Sequence, residues 1–253
     1  VETAKDPALY HYPFQVRVHE VDVNGLISPY YFLVHIQEAA VRHALVLGLD
    51  AVELRAVSLC WVLTRLKVEI FRYPKTLEEG RVTTWVSHTG SIQAIRESIV
   101  EDALGHELAK AVSSWMVLDW ETRRPKGLKL LPRPLPTFAK NSIPYPRKPI
   151  PLPKNPAKEG HHRVSYSDLD VNEHVNNLKY LAWIFDLFPL DCYKKAAIAQ
   201  IDAQFLKEAR FGQEFIIQLE DDGLGGQTVA LVSSLAKANE PTIRAWLKFG
   251  PRV

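Results

Sequence analysis

The chain has 253 residues, 47% of them apolar and 24% charged, with a formal net charge of +2 before its nine histidines are counted. That is the make-up of a folded protein with ample material for a core, in one large or two small domains. The charge is too weak to argue for nucleic-acid binding but suits an acidic protein partner.

No apolar run reaches membrane-spanning length, because Lys, Arg, Glu or His interrupts each one. Cys60 and Cys192 lie in apolar runs without CxxC spacing and read as buried free thiols of a reducing compartment. The first residue is Val, so the sequence does not fix a start.

In chain order, the first fourteen residues read as a ragged start. Phe14 to Val21 then alternates, with Phe14, Val16 and Val18 apolar, which predicts a half-buried strand. Ser28-Pro29 is a good N-cap and first-turn pair, and the helix after it carries Leu33, Ile36, Ala40 and Leu47 on one face and stops at Gly48. Strands are expected at about 60–73, 80–88, 92–101 and 108–119, with Gly80, Gly90 and Gly105 near the turns. A long helix followed by a run of strands predicts an α+β unit, a sheet wrapped around one central helix.

Ten of the seventeen prolines lie between Pro125 and Pro156. Each removes an N–H donor and fixes φ, so this stretch reads as an extended, semi-rigid connector. Interleaved Leu130, Leu131, Leu135, Phe138 and Ile150 predict that it packs along a surface. After it the order repeats: a short strand at 163–166, a helix, and strands near 198–208, 213–220, 227–237 and 242–249. Asp22-Val23-Asn24 matches Asp170-Val171-Asn172, and Trp115 and Trp246 sit late in corresponding strands, so the chain reads as an internal duplication. The expected domains are 1–137, a proline-rich linker at 138–158, and 159–253.

The most informative stretch is Ser167 to Tyr180, which sets Asp170, Asn172 and His174 at every second position just before an apolar helical pattern of Leu178, Leu181, Ala182 and Phe185, widened by Trp183 and Ile184. Asn176 or Asn177 serves as N-cap and Pro189 closes the segment. Asp and Asn ahead of a helix are ordinary capping residues. The trio with a paired Asn-Asn exceeds what capping needs, and at a helix's positive end it suits the stabilisation of an oxyanion. A metal site on Asp168, Asp170 and His174, with His161 or His162, lacks supporting Cys/His spacing, and neither metal nor cofactor is expected.

The stretch SDLDVNEHVNNLKYLAWIFD (167–186) resembles the signature of the acyl-acyl-carrier-protein (acyl-ACP) thioesterases. The resemblance continues, in the family's order, through LCWVLTRLKVEIFRYPKTLEEG (59–80), TTWVSHTGS (83–91), SSWMVLDWETRRP (113–125) and FLKEARFGQEF (205–215). It implies a tandem (double) hotdog, each half a curled antiparallel sheet around a central helix, and hydrolysis of fatty acyl-ACP thioesters to free fatty acid and holo-ACP. It places the general base at Glu208 on the strand FLKEARFG, a residue that without the resemblance reads as a surface glutamate. In the implied roles Glu208 activates water and His174 hydrogen-bonds to Glu208 or to that water. Asn172 orients the water or donates to the oxyanion, Asp170 holds the loop, and backbone N–H groups from Val175 to Asn177 complete the site.

The duplication breaks at these positions: Leu26 stands where His174 would be, and the match to Glu208 falls near Arg72. Catalysis is therefore expected in the C-terminal half, and burial of the acyl chain in the N-terminal half. Plant members of the family carry Cys after the glutamate. Here that residue is Ala209, so a cysteine nucleophile is not expected.

The implied partner is acidic ACP, with Arg163, Lys179, Lys194, Lys195, Lys207 and Arg210 as candidate docking residues. Neither a nucleic-acid nor a membrane partner is expected, and homodimerisation is left open. The expected compartment is the bacterial cytoplasm, or the plastid stroma for a plant chain. The rival readings are a hotdog acyl-coenzyme A thioesterase, a hotdog dehydratase and a non-catalytic acyl-binding module.

Overall fold

The computed structural model describes residues 6–221, 226–233 and 240–251, with the backbone alone at 221 and 226–233. The chain divides into two units, one up to Tyr145 and the other from Pro146.

In the first unit, Leu9–Gln15 forms β1, an edge strand on which Pro13 is tolerated because no further strand needs its N–H. The strand expected over Phe14–Val21 thus begins earlier and stops sooner. Val18–Glu20 is a 3-10 turn, because the Glu20 carboxylate folds back to accept the Arg17 N–H at 2.9 Å, which leaves Val18 exposed.

Helix α1 (Pro29–Val46) starts as predicted, with Ser28 Oγ accepting the Tyr31 N–H at 3.4 Å, and ends before Gly48 at φ 65°. It buries Phe32, Leu33, Ile36, Ala39 and Ala40, and with them His35 and His43. A second helix, α2 (Ala51–Ala56), is too short to show a period and was not anticipated; Asp50 caps it. Strands β2 (Leu59–Ile70), β3 (Glu79–Thr89), β4 (Gln93–Asp102) and β5 (Glu107–Asp119) follow, close to the expected positions. They form an antiparallel sheet in the order β1-β3-β4-β5-β2, with α1 packed on β1 and β3.

A polar pair lies inside this unit. Arg96 donates to His43 Nδ1 at 3.0 Å and to Thr84 Oγ1 at 3.2 Å. A guanidinium has only donors to offer, so His43 Nδ1 must be the acceptor and the ring proton sits on Nε2, facing the Pro7 carbonyl at 3.1 Å. Burial first, and the neighbouring Arg96 second, push the His43 pKa down to about 4.

The proline-rich stretch packs as predicted at three of its five apolar positions along this unit. After a two-residue strand, β6 (Pro125–Lys126), Leu131 and Leu135 cover Leu49, Leu54, Leu59 and Val117. Phe138 meets Trp85 edge-on at 6.1 Å, and the Ser142 hydroxyl donates to buried Glu97 at 2.6 Å. Ile150 is buried too, in the second unit, whereas Leu130 is 51% exposed.

The second unit repeats the topology. A short strand was expected at 163–166; it lies earlier, as β7 (Lys158–Arg163), and Tyr166–Asp168 is a 3-10 turn. Helices α3 (Asn177–Phe185) and α4 (Leu190–Lys195) precede β8 (Ala196–Phe205), β9 (Glu214–Asp221), β10 (Gly226–Ser233) and β11 (Pro241–Pro251). The sheet order is β7-β9-β10-β11-β8, the order of the first unit strand for strand. Even the register is shared: Phe14 lies opposite Gly80, and His162 opposite Phe215, at the same place in the two sheets. Positions 234–237 of the strand expected at 227–237 lie outside the described residues. Helix α3 buries Leu178, Leu181 and Ile184 almost completely and sets Tyr180 and Trp183 against Phe215 of β9. Each unit is a hotdog, and the chain is an α+β tandem hotdog.

Candidate active site

Asp168 anchors the approach to α3. Its carboxylate accepts from the Ser165 N–H at 2.8 Å, the Ser165 hydroxyl at 2.9 Å, His162 Nε2 at 2.9 Å and Trp183 Nε1 at 3.2 Å. Burial is the largest single influence and opposes ionisation, yet these four donors together hold its pKa below the usual carboxylate value. The Asp168 carbonyl takes the Asn176 N–H at 2.9 Å, so the turn between them is closed at its base. His162 stacks on Trp183 at 3.9 Å and keeps this support rigid. The sequence singled out Asp168 and His162 only as weak metal-ligand candidates; their hydrogen bond joins residues on separate elements, and no local spacing announces it.

Within the turn, Asp170 Oδ1 accepts the N–H groups of Asn172 at 2.8 Å and His174 at 3.3 Å. Its own N–H donates to the His174 carbonyl at 2.8 Å. Asp170 thus ties the backbone of the turn together. Asn172 sits half-buried at the tip, and Glu173 beside it takes φ 59° to turn the chain.

His174 pairs as a β-bridge with Arg210, and the Val175 N–H donates to the Ala209 carbonyl at 2.9 Å. These links bind the segment after β8 to the turn and bring Glu208 beside the imidazole: His174 Nε2 lies 3.7 Å from Glu208 Oε2. That is too long for a strong direct hydrogen bond but well within the reach of a shared water. His174 is buried and the Glu208 side chain is 36% exposed, so the carboxylate faces outward from a fixed imidazole.

Two expectations need correction. Glu208 is not on a strand: β8 ends at Phe205, because the Leu206 and Lys207 N–H groups both turn to the Thr242 carbonyl and the regular ladder stops. The backbone donors foreseen from Val175 to Asn177 are largely committed, Val175 to Ala209 and Asn176 to Asp168, which leaves the Asn177 N–H of the three. Asn176 is the N-cap, its Oδ1 accepting from the Leu178 N–H at 3.0 Å.

Among the candidate docking residues, Lys207 and Arg210 flank Glu208 in sequence, Arg163 ends β7, Lys179 lies on α3, and Lys194 and Lys195 close α4. Lys207 pairs with Glu240, and Lys194 lies 3.9 Å from Asp191. Tyr166, Val171 and Phe211 are exposed large apolar side chains on these same loops, which no sequence pattern marks. Among the described residues, no three His, Cys, Asp or Glu side chains are grouped to hold a metal ion. Cys192 is on α4 and Cys60 in the first unit, while Ala209 is buried. No helix among the described residues is long and apolar enough to cross a membrane.

Comparison with known proteins matches residues 7–129 to the acyl-ACP thioesterase N-terminal domain and residues 153–240 to the acyl-ACP thioesterase C-terminal domain. The chain belongs to the acyl-ACP thioesterase family. It is 29% identical over 231 residues to the palmitoyl-acyl carrier protein thioesterase of Gossypium hirsutum, covering 85% of this chain and 55% of that protein. The chain thus spans about half the length of the curated relatives it matches. In structure it is similar to an acyl-ACP thioesterase from Bacteroides thetaiotaomicron, with a TM-score of 0.86, 25% identity, and coverage of 98% of this chain and 100% of that one. The fold is shared with the 12:0-ACP thioesterase from Umbellularia californica, at a TM-score of 0.82, 22% identity, and coverage of 99% and 100%.

Proposed function

We propose that this chain hydrolyses fatty acyl-ACP thioesters to free fatty acid and holo-ACP. The observation that carries the reading is the 3.7 Å approach of His174 Nε2 to Glu208 Oε2 beside the positive end of α3, in a chain of this family. A thiolate leaves readily, so an activated water suffices. Glu208 takes the water's proton as the oxygen attacks the thioester carbon, while His174 holds the carboxylate and water in line. The charge that develops on the carbonyl oxygen meets the Asn172 amide and the Asn177 N–H. Collapse of that intermediate breaks the carbon–sulfur bond, and the departing sulfur takes up the proton.

In this reading the C-terminal domain carries the chemistry and the N-terminal domain buries the acyl chain. Support for that division is the presence of Leu26 in the N-terminal turn where the C-terminal one has His174. ACP is acidic, so Lys207 and Arg210 beside Glu208 suit its docking, with Arg163, Lys179, Lys194 and Lys195 as further candidates. Exposed Tyr166, Val171 and Phe211 add apolar surface on the same loops. The compartment that goes with this substrate is the cytoplasm of a bacterium or the stroma of a plastid.

The test compares turnover of matched acyl-ACP and acyl-coenzyme A substrates by the wild type and Glu208→Gln. ACP should be preferred, its KM should rise with salt, and the variant should lose roughly a hundredfold in kcat or more without unfolding. Preference for coenzyme A would make this a hotdog acyl-coenzyme A thioesterase. Wild-type turnover by the variant would remove Glu208 as the base.

A further inference from the structure

We propose that Tyr180 is a positioning residue for the reaction: its phenol anchors the Glu208–Ala209 segment and so fixes the carboxylate against His174. The inference rests on the role given to Glu208 above.

Tyr180 lies one turn into α3 and is 1% exposed, and its hydroxyl is buried with no protein group closing a hydrogen bond to it. A buried, unpaired hydroxyl is destabilising, and phenylalanine would remove the defect. The first unit does have phenylalanine there. Counted from the helix caps Ser28 and Asn176, Tyr180 corresponds to Phe32, which is fully buried. The hydroxyl thus occurs in the half that has the imidazole and the carboxylate, and is absent from the half that lacks both.

Its surroundings indicate what it serves. No hydrogen bond to the phenol is closed, and the groups that act on it electrostatically are the Ala209 backbone and the Glu208 and Asp170 carboxylates. Burial, and then those two carboxylates, raise its pKa, so it stays a neutral donor. Trp183 packs edge-on against the ring at 5.0 Å and Phe215 at 6.4 Å, so the phenol is a fixed platform. The Glu208 segment is already tethered to the catalytic turn by Val175 N–H to Ala209 O and by the His174–Arg210 bridge. A small closure of that segment lets the phenol accept from the Ala209 N–H and donate toward Glu208, which satisfies the orphan hydroxyl and orients the base.

The experiment is steady-state kinetics on acyl-ACP for Tyr180→Phe, Glu208→Gln and the double variant, with thermal unfolding of each. Tyr180→Phe should lower kcat about tenfold with KM within about twofold, Tm unchanged or higher, and no further loss in the Glu208→Gln background. Unchanged kcat overturns the inference. So does a loss that tracks a lower Tm, as a purely structural role requires, or a loss that repeats in full on top of Glu208→Gln. If Glu208→Gln is inactive while Tyr180→Phe is silent, only the Tyr180 inference fails; wild-type turnover by Glu208→Gln removes the base assignment itself.

Discussion

In the turn before α1, Asp22 Oδ1 accepts the N–H of Asn24 at 2.8 Å and of Leu26 at 3.4 Å; before α3, Asp170 Oδ1 accepts those of Asn172 at 2.8 Å and His174 at 3.3 Å. The correspondence continues along the backbone. Ile27 N–H donates to the Pro74 carbonyl and Val175 N–H to the Ala209 carbonyl, both at 2.9 Å, and Leu26 bridges to Lys75 as His174 does to Arg210. Counting back from the two bridges sets Tyr73 opposite Glu208, one residue from the Arg72 neighbourhood that the sequence pointed to.

The comparison separates scaffold from chemistry. An aspartate that gathers backbone N–H groups, a left-handed residue (Gly25 or Glu173) and a two-residue bridge build the loop in both halves, whatever the side chains around it. On the proposed mechanism, reactivity turns on three differences on that common frame: Leu26 against His174, Phe32 against Tyr180, Tyr73 against Glu208. Tyr73 is buried and packs on Phe32 at 5.6 Å, so the first half closes with aromatic surface the place that the second leaves open to a carboxylate.

The hardest strain on this comparison is a matched pair of truncations. His174→Ala should lower kcat on acyl-ACP by roughly a hundredfold or more, while Leu26→Ala in the corresponding turn changes it only a few-fold. Equal losses would mean that both turns take part.

The next contrast is in acid stability. Folded His43 has a pKa of about 4 against a usual 6.5, so its contribution is complete above pH 6.5 and is lost as pH falls toward 4, on the order of 2 kcal/mol by pH 4.5. Asp168, whose folded pKa is also depressed, keeps its contribution until pH falls below the ordinary carboxylate range. Hydrogen exchange at pH 5 should therefore show amides of the first half opening more than at pH 7.5, and those of the second half much less. His43→Gln should flatten that difference.

The smallest effect sharpens the frame itself. Asp22→Ala and Asp170→Ala each leave two turn N–H groups without their acceptor and should cost about 1 kcal/mol of stability by denaturant unfolding. They should be alike in stability but unlike in kinetics, with only Asp170→Ala slowing turnover.

The helix starts were readable because capping is local. Ser28 announces α1 and the Asn176-Asn177 pair announces α3, and the apolar periods behind them give the buried faces. The edge strands β1 and β7 lie earlier in the chain than their patterns suggested, whereas the inner strands of both halves were readable from alternation. The Val18–Glu20 and Tyr166–Asp168 turns were not, because each depends on one carboxylate returning to a backbone N–H, and an acid in an alternating pattern looks like the polar side of a strand. Tyr180 was hidden for a related reason: an aromatic residue on an apolar helical face reads as core, and ring and hydroxyl are both buried; that the hydroxyl lacks a partner shows only in the fold.

Local chemistry in the chain determined the two turns, the helices behind them and the repeated order of elements, since caps, Asx turns and period need only near neighbours. That Glu208 leaves its strand at Phe205 and arrives 3.7 Å from His174 was decided by the tertiary structure alone. The two residues are thirty-four positions apart in sequence. They meet because the segment after β8 is stitched to the turn by backbone hydrogen bonds, whose donors and acceptors every residue carries and no motif records.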